Sequence, residues 1–257
     1  MGIDSFENCS LIDRRPIAKS SVSTPATYLD LMSEIKDLFA SLPEAKMAGL
    51  TARSFSTNAE GGRCPECKGK GEIQLHMRFL ADARIRCSTC HGQRFRPLIL
   101  DVKFQGLSIN DIFNLTLAQT AETFKYHRKI SHRLAPALAL GLGYLKTGQP
   151  SSSLSGGESQ RLKLVPFFQK KFSTQHLVII DEPTVGLHSS DIEKLKSCLK
   201  LLTENGATLI IVDNNADLLA MSDWHLHLGP KSADQGGSLV YQGSPEERFL
   251  EVNLGAC

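Results

Sequence analysis

The chain has no run of about 18 apolar residues and no basic-then-apolar leader at its start. It is therefore expected to span no membrane and to stay in the cytoplasm. A dominant sign of charge is also missing: 29 Lys and Arg stand against 27 Asp and Glu, a formal net charge of +2. That balance excludes identifying a polyanionic partner from net charge, and any nucleic-acid contact has to come from local clustering. Repeats and low-complexity tracts are absent, apart from a paired CxxC unit. An even cysteine count is lacking too, for there are 7, four of them in the two CxxC pairs. A secreted disulfide scaffold is thereby disfavoured and metal is the better reading. Cys9, Cys198 and Cys257 stand alone and read as packed or terminal thiols. Finally, no GxxxxGK[ST] phosphate loop occurs. At Gly69-Lys70, Cys64 stands where the first glycine belongs and Gly71 where the serine or threonine belongs.

What is present changes character along the chain. Residues 1–23 are mixed and polar without a clear period. Thr24-Pro25 supplies a helix cap with proline at the first helical position, and Tyr28, Met32, Ile35, Leu38 and Phe39 follow at helical spacing up to Pro43. This predicts one amphipathic helix. From Asn58 to Pro97 the composition turns to Gly, Cys and Arg with no apolar stripe wide enough for a core, as in a small module held by a metal. Helices are predicted to open at Ser108 and at Thr116, the latter with Gln119 at capping-box spacing. Further on, HLVIID (176–181) and ATLIIV (207–212) are apolar runs of buried-strand type. Ser189 to Leu202 has a helical period, and HLHLG and SLVYQG look like shorter strands. Buried strands separated by a helix predict an α/β fold with a mainly parallel sheet.

Cys64-Pro-Glu-Cys67 and Cys87-Ser-Thr-Cys90 are separated by 19 residues. Two residues between sulfurs let a tight turn aim both at one tetrahedral ion at about 2.3 Å, and two such turns complete a closed four-sulfur zinc site. Four thiolates leave no open coordination position, so the Zn2+ is expected to be structural and its removal to unfold the module. Residues 63–96 carry Arg63, Lys68, Lys70, Arg78, Arg84, Arg86, Arg94 and Arg96 against Glu66, Glu72 and Asp82. Zinc with four thiolates contributes about −2, which leaves a positive remainder. Two readings stand side by side: a surface for the phosphate backbone, or a solvated surface whose charge offsets the tetrathiolate. CPECKGKG also resembles the CxxCxGxG unit of zinc-containing J-type co-chaperones, but the second pair reads CSTCHGQR and no His-Pro-Asp triplet occurs.

LSGGESQ (154–160) is followed, 21 residues after Gln160, by Asp181 and Glu182 at the end of an apolar run. An aspartate in that place holds Mg2+ through water, and the adjacent glutamate orients or deprotonates the water that attacks in phosphoryl transfer. Ser155 and the backbone amides of Gly156 and Gly157, at a helix N-terminus, suit a γ-phosphate. SGG and DE are each common. In this order and spacing, with PTVGLH behind them, they are specific.

LSGGESQ resembles the signature motif of ATP-binding-cassette (ABC) ATPases, and VIIDEPTVGLH resembles their Walker B strand and D-loop. Taken with GLGYLKTGQPSSSLSGGESQRLKL, SDWHLHLGP and CPECKGKG, the chain from about Ile12 to about Glu247 resembles the C-terminal part of the UvrA family. These are the damage-sensing ABC-type ATPases of bacterial nucleotide excision repair. The resemblance implies an α/β, ABC-ATPase-type lobe plus a helical insertion carrying a four-cysteine zinc module. It divides the chain into a remnant of a first ABC lobe with a Q-loop-like segment (1–24), a helical signature and insertion domain (25–150, zinc module 58–97) and an ABC core (151–257). Asp181 and Glu182 are then catalytic, Ser155, Gly156, Gly157, Glu158, Gln160 and Asn214 face nucleotide, and Cys64, Cys67, Cys87 and Cys90 hold zinc. The implied ligands are ATP with Mg2+ at a shared site. The implied partners are damaged duplex DNA, UvrB and a UvrA-type nucleotide-binding domain in cis or trans, in a dimer.

Three departures bear on activity. The phosphate loop is absent from these 257 residues, Arg14 occupies the position of the family's Q-loop glutamine, and Asn214 that of its switch histidine. Asparagine can donate a hydrogen bond to phosphate but cannot titrate. Either the phosphate loop lies upstream of this chain, or hydrolysis has decayed in a diverged half, or both. Alone, the chain is expected to be a weak or inactive ATPase whose signature caps ATP held elsewhere. The alternative expectation is a diverged, non-hydrolysing, zinc-containing module that binds DNA or protein.

Overall fold

The structure is a computed structural model that describes residues 6–13, 15, 17, 23–75, 83–169, 175–229 and 237–245. In chain order its elements begin with β1 (Asn8–Ile12), α1 (Pro25–Tyr28), α2 (Leu31–Ser41) and α3 (Pro43–Met47). The hairpin strands β2 (Glu72–Leu75) and β3 (Ala83–Arg86) follow, then α4 (Pro97–Asp101), β4 (Lys103–Phe104) and β5 (Leu107–Ser108). Next come α5 (Ile109–Asn114), α6 (Leu117–Thr123), α7 (Arg128–Ala139) and α8 (Gly156–Leu164). The last elements are β6 (His176–Asp181), α9 (Ser189–Glu204), β7 (Thr208–Val212), α10 (Ala216–Leu219), β8 (His225–Gly229) and β9 (Ser238–Gly243). The chain forms two compact units, Met1–Asp13 with Phe172–Cys257, and Arg14–Lys171.

In the first unit β1, β6 and β7 make a parallel sheet in the order β1-β6-β7. The central strand β6 is apolar because it is flanked on both sides: Leu177, Val178 and Ile180 are all buried. Parallel neighbours need a crossover, and α9 supplies it between β6 and β7, burying Ile192, Leu195, Cys198, Leu199 and Leu202 at helical spacing. The predicted α/β fold with a parallel sheet is thus observed. Two details differ from the sequence reading. β1 arises from a stretch with no visible period, since its state comes from pairing with β6 from Asn8↔His176 to Ile12↔Ile180. β7 is not buried throughout: β6 is its partner among the described residues, and Ile210 and Val212 are 48% and 54% exposed. HLHLG and SLVYQG form the antiparallel pair β8–β9, with an irregularity between His227 and Leu228.

The second unit is helical. Thr24 caps α1 in a capping box with Thr27, but the single helix predicted across 25–43 splits in two. Asp30 sits at φ +54°, a left-handed backbone that ends one helix and precedes the next. It is held there by Arg133, which donates to the Asp30 carbonyl at 3.0 Å and to its carboxylate, while Ser33 donates to the carboxylate at 3.0 Å. Leu31, Ile35 and Phe39 of α2 are fully buried, and the Phe39 and Phe55 rings lie 5.5 Å apart. The predicted caps at Ser108 and Thr116 are both present as capping boxes, with Asp111 and Gln119. Residues 151–169 belong to this helical unit: Ser151 N–H donates to Ser23 O at 2.8 Å, and Leu162 and Leu164 of α8 are fully buried.

Ile180→Ala empties a fully buried position on the central strand. It should lower the unfolding free energy of the sheet unit by about 2–5 kcal/mol, read as a shift in denaturant midpoint with metal content unchanged.

Candidate functional site

The cysteine module is two tight turns facing each other. In each, the residue after the second cysteine has a left-handed backbone, Lys68 at φ +51° and His91 at φ +48°, and glycine follows, at +84° and +80°. These turns place Cys64 Sγ 3.9 Å from Cys87 Sγ and Cys67 Sγ 3.6 Å from Cys90 Sγ, with all four sulfurs within 4.8 Å of one another. Sulfurs at about 2.3 Å from one tetrahedral zinc lie about 3.8 Å apart, so the set suits a closed four-sulfur site. All four side chains are buried. Burial pushes the Cys90 thiol up to about 12 and raises Cys67 as well, whereas Cys87, against the cost of burial, falls to about 7 because backbone N–H groups of Cys90 and Thr89 point at it. Burial and mutual repulsion thus oppose ionising Cys67 and Cys90 without a cation.

Much of the module's positive charge is spent inside it. Arg63 meets Glu60 at 3.5 Å, Arg84 meets Glu72 at 3.2 Å, and Arg86 Nε donates to His91 O at 2.7 Å. Lys68, Lys70 and Arg96 are exposed. Arg78 and Asp82, counted in the sequence, lie outside the described residues, as does Arg14 at the Q-loop position.

The signature segment opens α8. Ser155 is its N-cap, with Ser155 Oγ accepting from Glu158 N–H at 3.2 Å and the Glu158 carboxylate accepting from Ser155 N–H at 2.7 Å. The first-turn amides of Gly156 and Gly157 have no acceptor within the helix, which leaves the end of α8 electropositive. Tyr144 Oη donates to the other Glu158 oxygen at 2.7 Å. Burial would raise the Glu158 carboxyl, but Tyr144, Ser155 and nearby Arg161 hold it below the usual carboxylate range; burial and Glu158 together push Tyr144 up to about 12. Gln160, expected to face nucleotide, is only 1% exposed. It lies on the packed side of α8, with Ser159, Leu162 and Leu164.

In the sheet unit Asp181 and Glu182 follow one another at the carboxyl end of β6, both exposed. Glu182 has φ +46°, and its N–H donates to Val212 O at 2.7 Å. A left-handed glutamate is strained, and such strain persists where surrounding structure over-determines it. Asn214 is exposed just beyond β7, whose Val212 registers with Asp181. The two strand ends are joined by Asp213, a residue the sequence reading passed over. Its carboxylate accepts from Thr184 N–H at 3.0 Å, Thr184 Oγ1 at 2.7 Å, Asn214 N–H at 2.8 Å and Asn215 N–H at 2.9 Å. An aspartate at a strand end before two asparagines was the available signal; Tyr144 offered none.

A parallel sheet with an Asp-Glu pair ending its central strand, a helix opened by the signature segment and a closed set of four cysteines define an ABC-ATPase-like fold. Within that class the chain is a UvrA-like part. It is 41% identical over 249 residues to UvrABC system protein A of Thermus thermophilus, covering 97% of this chain and 26% of that protein. With UvrABC system protein A of Deinococcus radiodurans it is 41% identical over 246 residues, 96% of this chain and 24% of that protein. The crystal structure of UvrA2 from Deinococcus radiodurans superposes with a TM-score of 0.88 at 37% identity, over 96% of this chain and 30% of that one. No family model matches. The chain spans about a quarter of the length of the curated relatives it matches. No helix among the described residues is long and apolar enough to cross a membrane.

Zinc affinity should rise with pH, because each bound thiolate displaces a proton. With Cys87 at about 7 and Cys90 at about 12, the slope of log K against pH should fall by about one proton on passing neutrality and remain positive above it, measured by competition with a chromophoric chelator. Separately, Asp213→Ala leaves several donors without their acceptor and should destabilise the sheet unit by about 1–3 kcal/mol, read by chemical denaturation.

Proposed function

We propose that this chain is part of a UvrA-like ATPase subunit of nucleotide excision repair and supplies half-sites for ATP rather than a complete site. The observation that carries this reading is the Asp181-Glu182 pair at the carboxyl end of the central strand, with Glu182 in a strained backbone. In this reading Asp181 binds Mg2+ through water, Glu182 orients the attacking water, and Asn214 donates to the γ-phosphate. Asp213 keeps Thr184 and Asn214 in register with them.

Ser155 and the Gly156 and Gly157 amides would cap ATP whose phosphate loop belongs to another UvrA-type lobe, in cis or in trans. Glu158, tied to Tyr144 and Ser155, shapes that cap. Cys64, Cys67, Cys87 and Cys90 would hold a structural Zn2+, and the exposed Lys68, Lys70 and Arg96 would meet the backbone of a damaged duplex. Dimerisation, transfer to UvrB and a cytoplasmic site of action follow from the same family relation.

Mixing the chain with a UvrA-type lobe that carries a phosphate loop should produce ATP turnover and damaged-DNA binding. Glu182→Gln in the mixture should lower turnover by about 100-fold or more. Absence of any gain on mixing would reject the half-site reading. DNA binding that weakens with salt but ignores both ATP and Glu182→Gln would select a non-hydrolysing binding module instead.

A further inference from the structure

The two turns of the cysteine module match in backbone but differ at one decisive place. Four residues after Cys67 stands Gly71, at φ +78°, whose N–H donates to Cys67 Sγ at 3.2 Å. Four residues after Cys90 stands Arg94, at φ +67°, whose N–H donates to the Cys90 thiol. The position calls for a left-handed backbone, which glycine adopts freely and arginine only under strain. The strained residue has a use for its side chain. Its guanidinium leaves the module, donates to Gly148 O at 3.5 Å and lies 5.2 Å from the centre of the Phe113 ring. Its backbone carbonyl meanwhile accepts from Cys64 N–H at 2.8 Å. One residue therefore touches both turns of the sulfur site with its main chain and the segment before the signature helix with its side chain.

That segment is itself closely seated. Thr147 N–H donates to Leu115 O and Gly148 N–H to Phe113 O, each at 2.8 Å, and a Cβ on Gly148 would come within 2.4 Å of the Phe113 ring. Seven residues beyond Gly148 lies Ser155, the cap of α8. We propose that Arg94 is a positioning residue that fastens the metal-bound turn to the strap Thr147–Leu154, so that metal occupancy sets the approach to the signature helix. The consequence for ATP capping rests on the function proposed above; the mechanical link does not.

Arg94→Gly installs the residue the first turn already uses, so it relieves the strained backbone while removing the tie and a positive charge near Glu72, Cys67 and Cys90. In the zinc-loaded full chain this variant should keep one zinc, while amide hydrogen exchange across residues 147–154 accelerates about tenfold. Chelating the zinc should accelerate the same amides in the unaltered chain and add nothing further there in Arg94→Gly. The proposal is overturned if Arg94→Gly loses its zinc, if strap exchange is unchanged with zinc retained, or if chelation loosens the strap equally in both proteins. No nucleotide enters the measurement, so failure of the ATP reading and failure of this link are told apart.

Discussion

The mutual approach of four sulfurs is the constraint on which the cysteine module depends. Among its described residues the four cysteines form a buried cluster with Ile73 packed against them, a small apolar core from which the hydrophobic effect supplies little cohesion. What shapes the chain instead is the demand that two turns aim at one point. That demand accounts for the left-handed residues after Cys67 and Cys90 and for the glycines beside them. It also explains how closely the module is laid on its surroundings: a Cβ at Gly62 would fall 1.6 Å from Ser54 O, and one at Gly69 2.3 Å from Thr57 O. A bound cation would stabilise this arrangement twice, by neutralising thiolates that burial disfavours and by fixing turns that have little apolar core to hold them.

The sheet unit solves a different problem, that of holding polar groups at the end of apolar strands. β6 buries Leu177, Val178 and Ile180 and then emerges at Asp181. Parallel strands end together, so the residues that follow β6 and β7 meet at one edge, where Asp213 satisfies the donors of both. The acidic pair is thereby presented on rigid backbone, and the strain at Glu182 is sustained by its bond to Val212.

Local chemistry was the most legible part of the sequence. Caps at Thr24, Ser108 and Thr116 depend on neighbours in sequence and are present as read; Ser155, read only as the residue at the mouth of a helix, caps α8 in the same way. The cysteine spacing was legible for the same reason. What escaped was set at a distance: β1 is polar and becomes a strand only by pairing with β6, and Asp30 breaks a helix because Arg133, far along the chain, holds it. Asp213 and Arg94 were in plain view as charged residues, but their partners Thr184 and Gly148 could not be read from neighbours in sequence.

The pairing of β1 with β6 joins Asn8 to His176, so the connection between these two parallel strands is the whole helical unit. Ordinary crossovers are a single helix; this one has its own core and its own metal-suited site. Closing a link of that length from an unfolded chain is entropically slow. A prefolded helical unit shortens the effective gap, and since β6 and β7 are joined locally through α9, only the pairing of β1 depends on that long link.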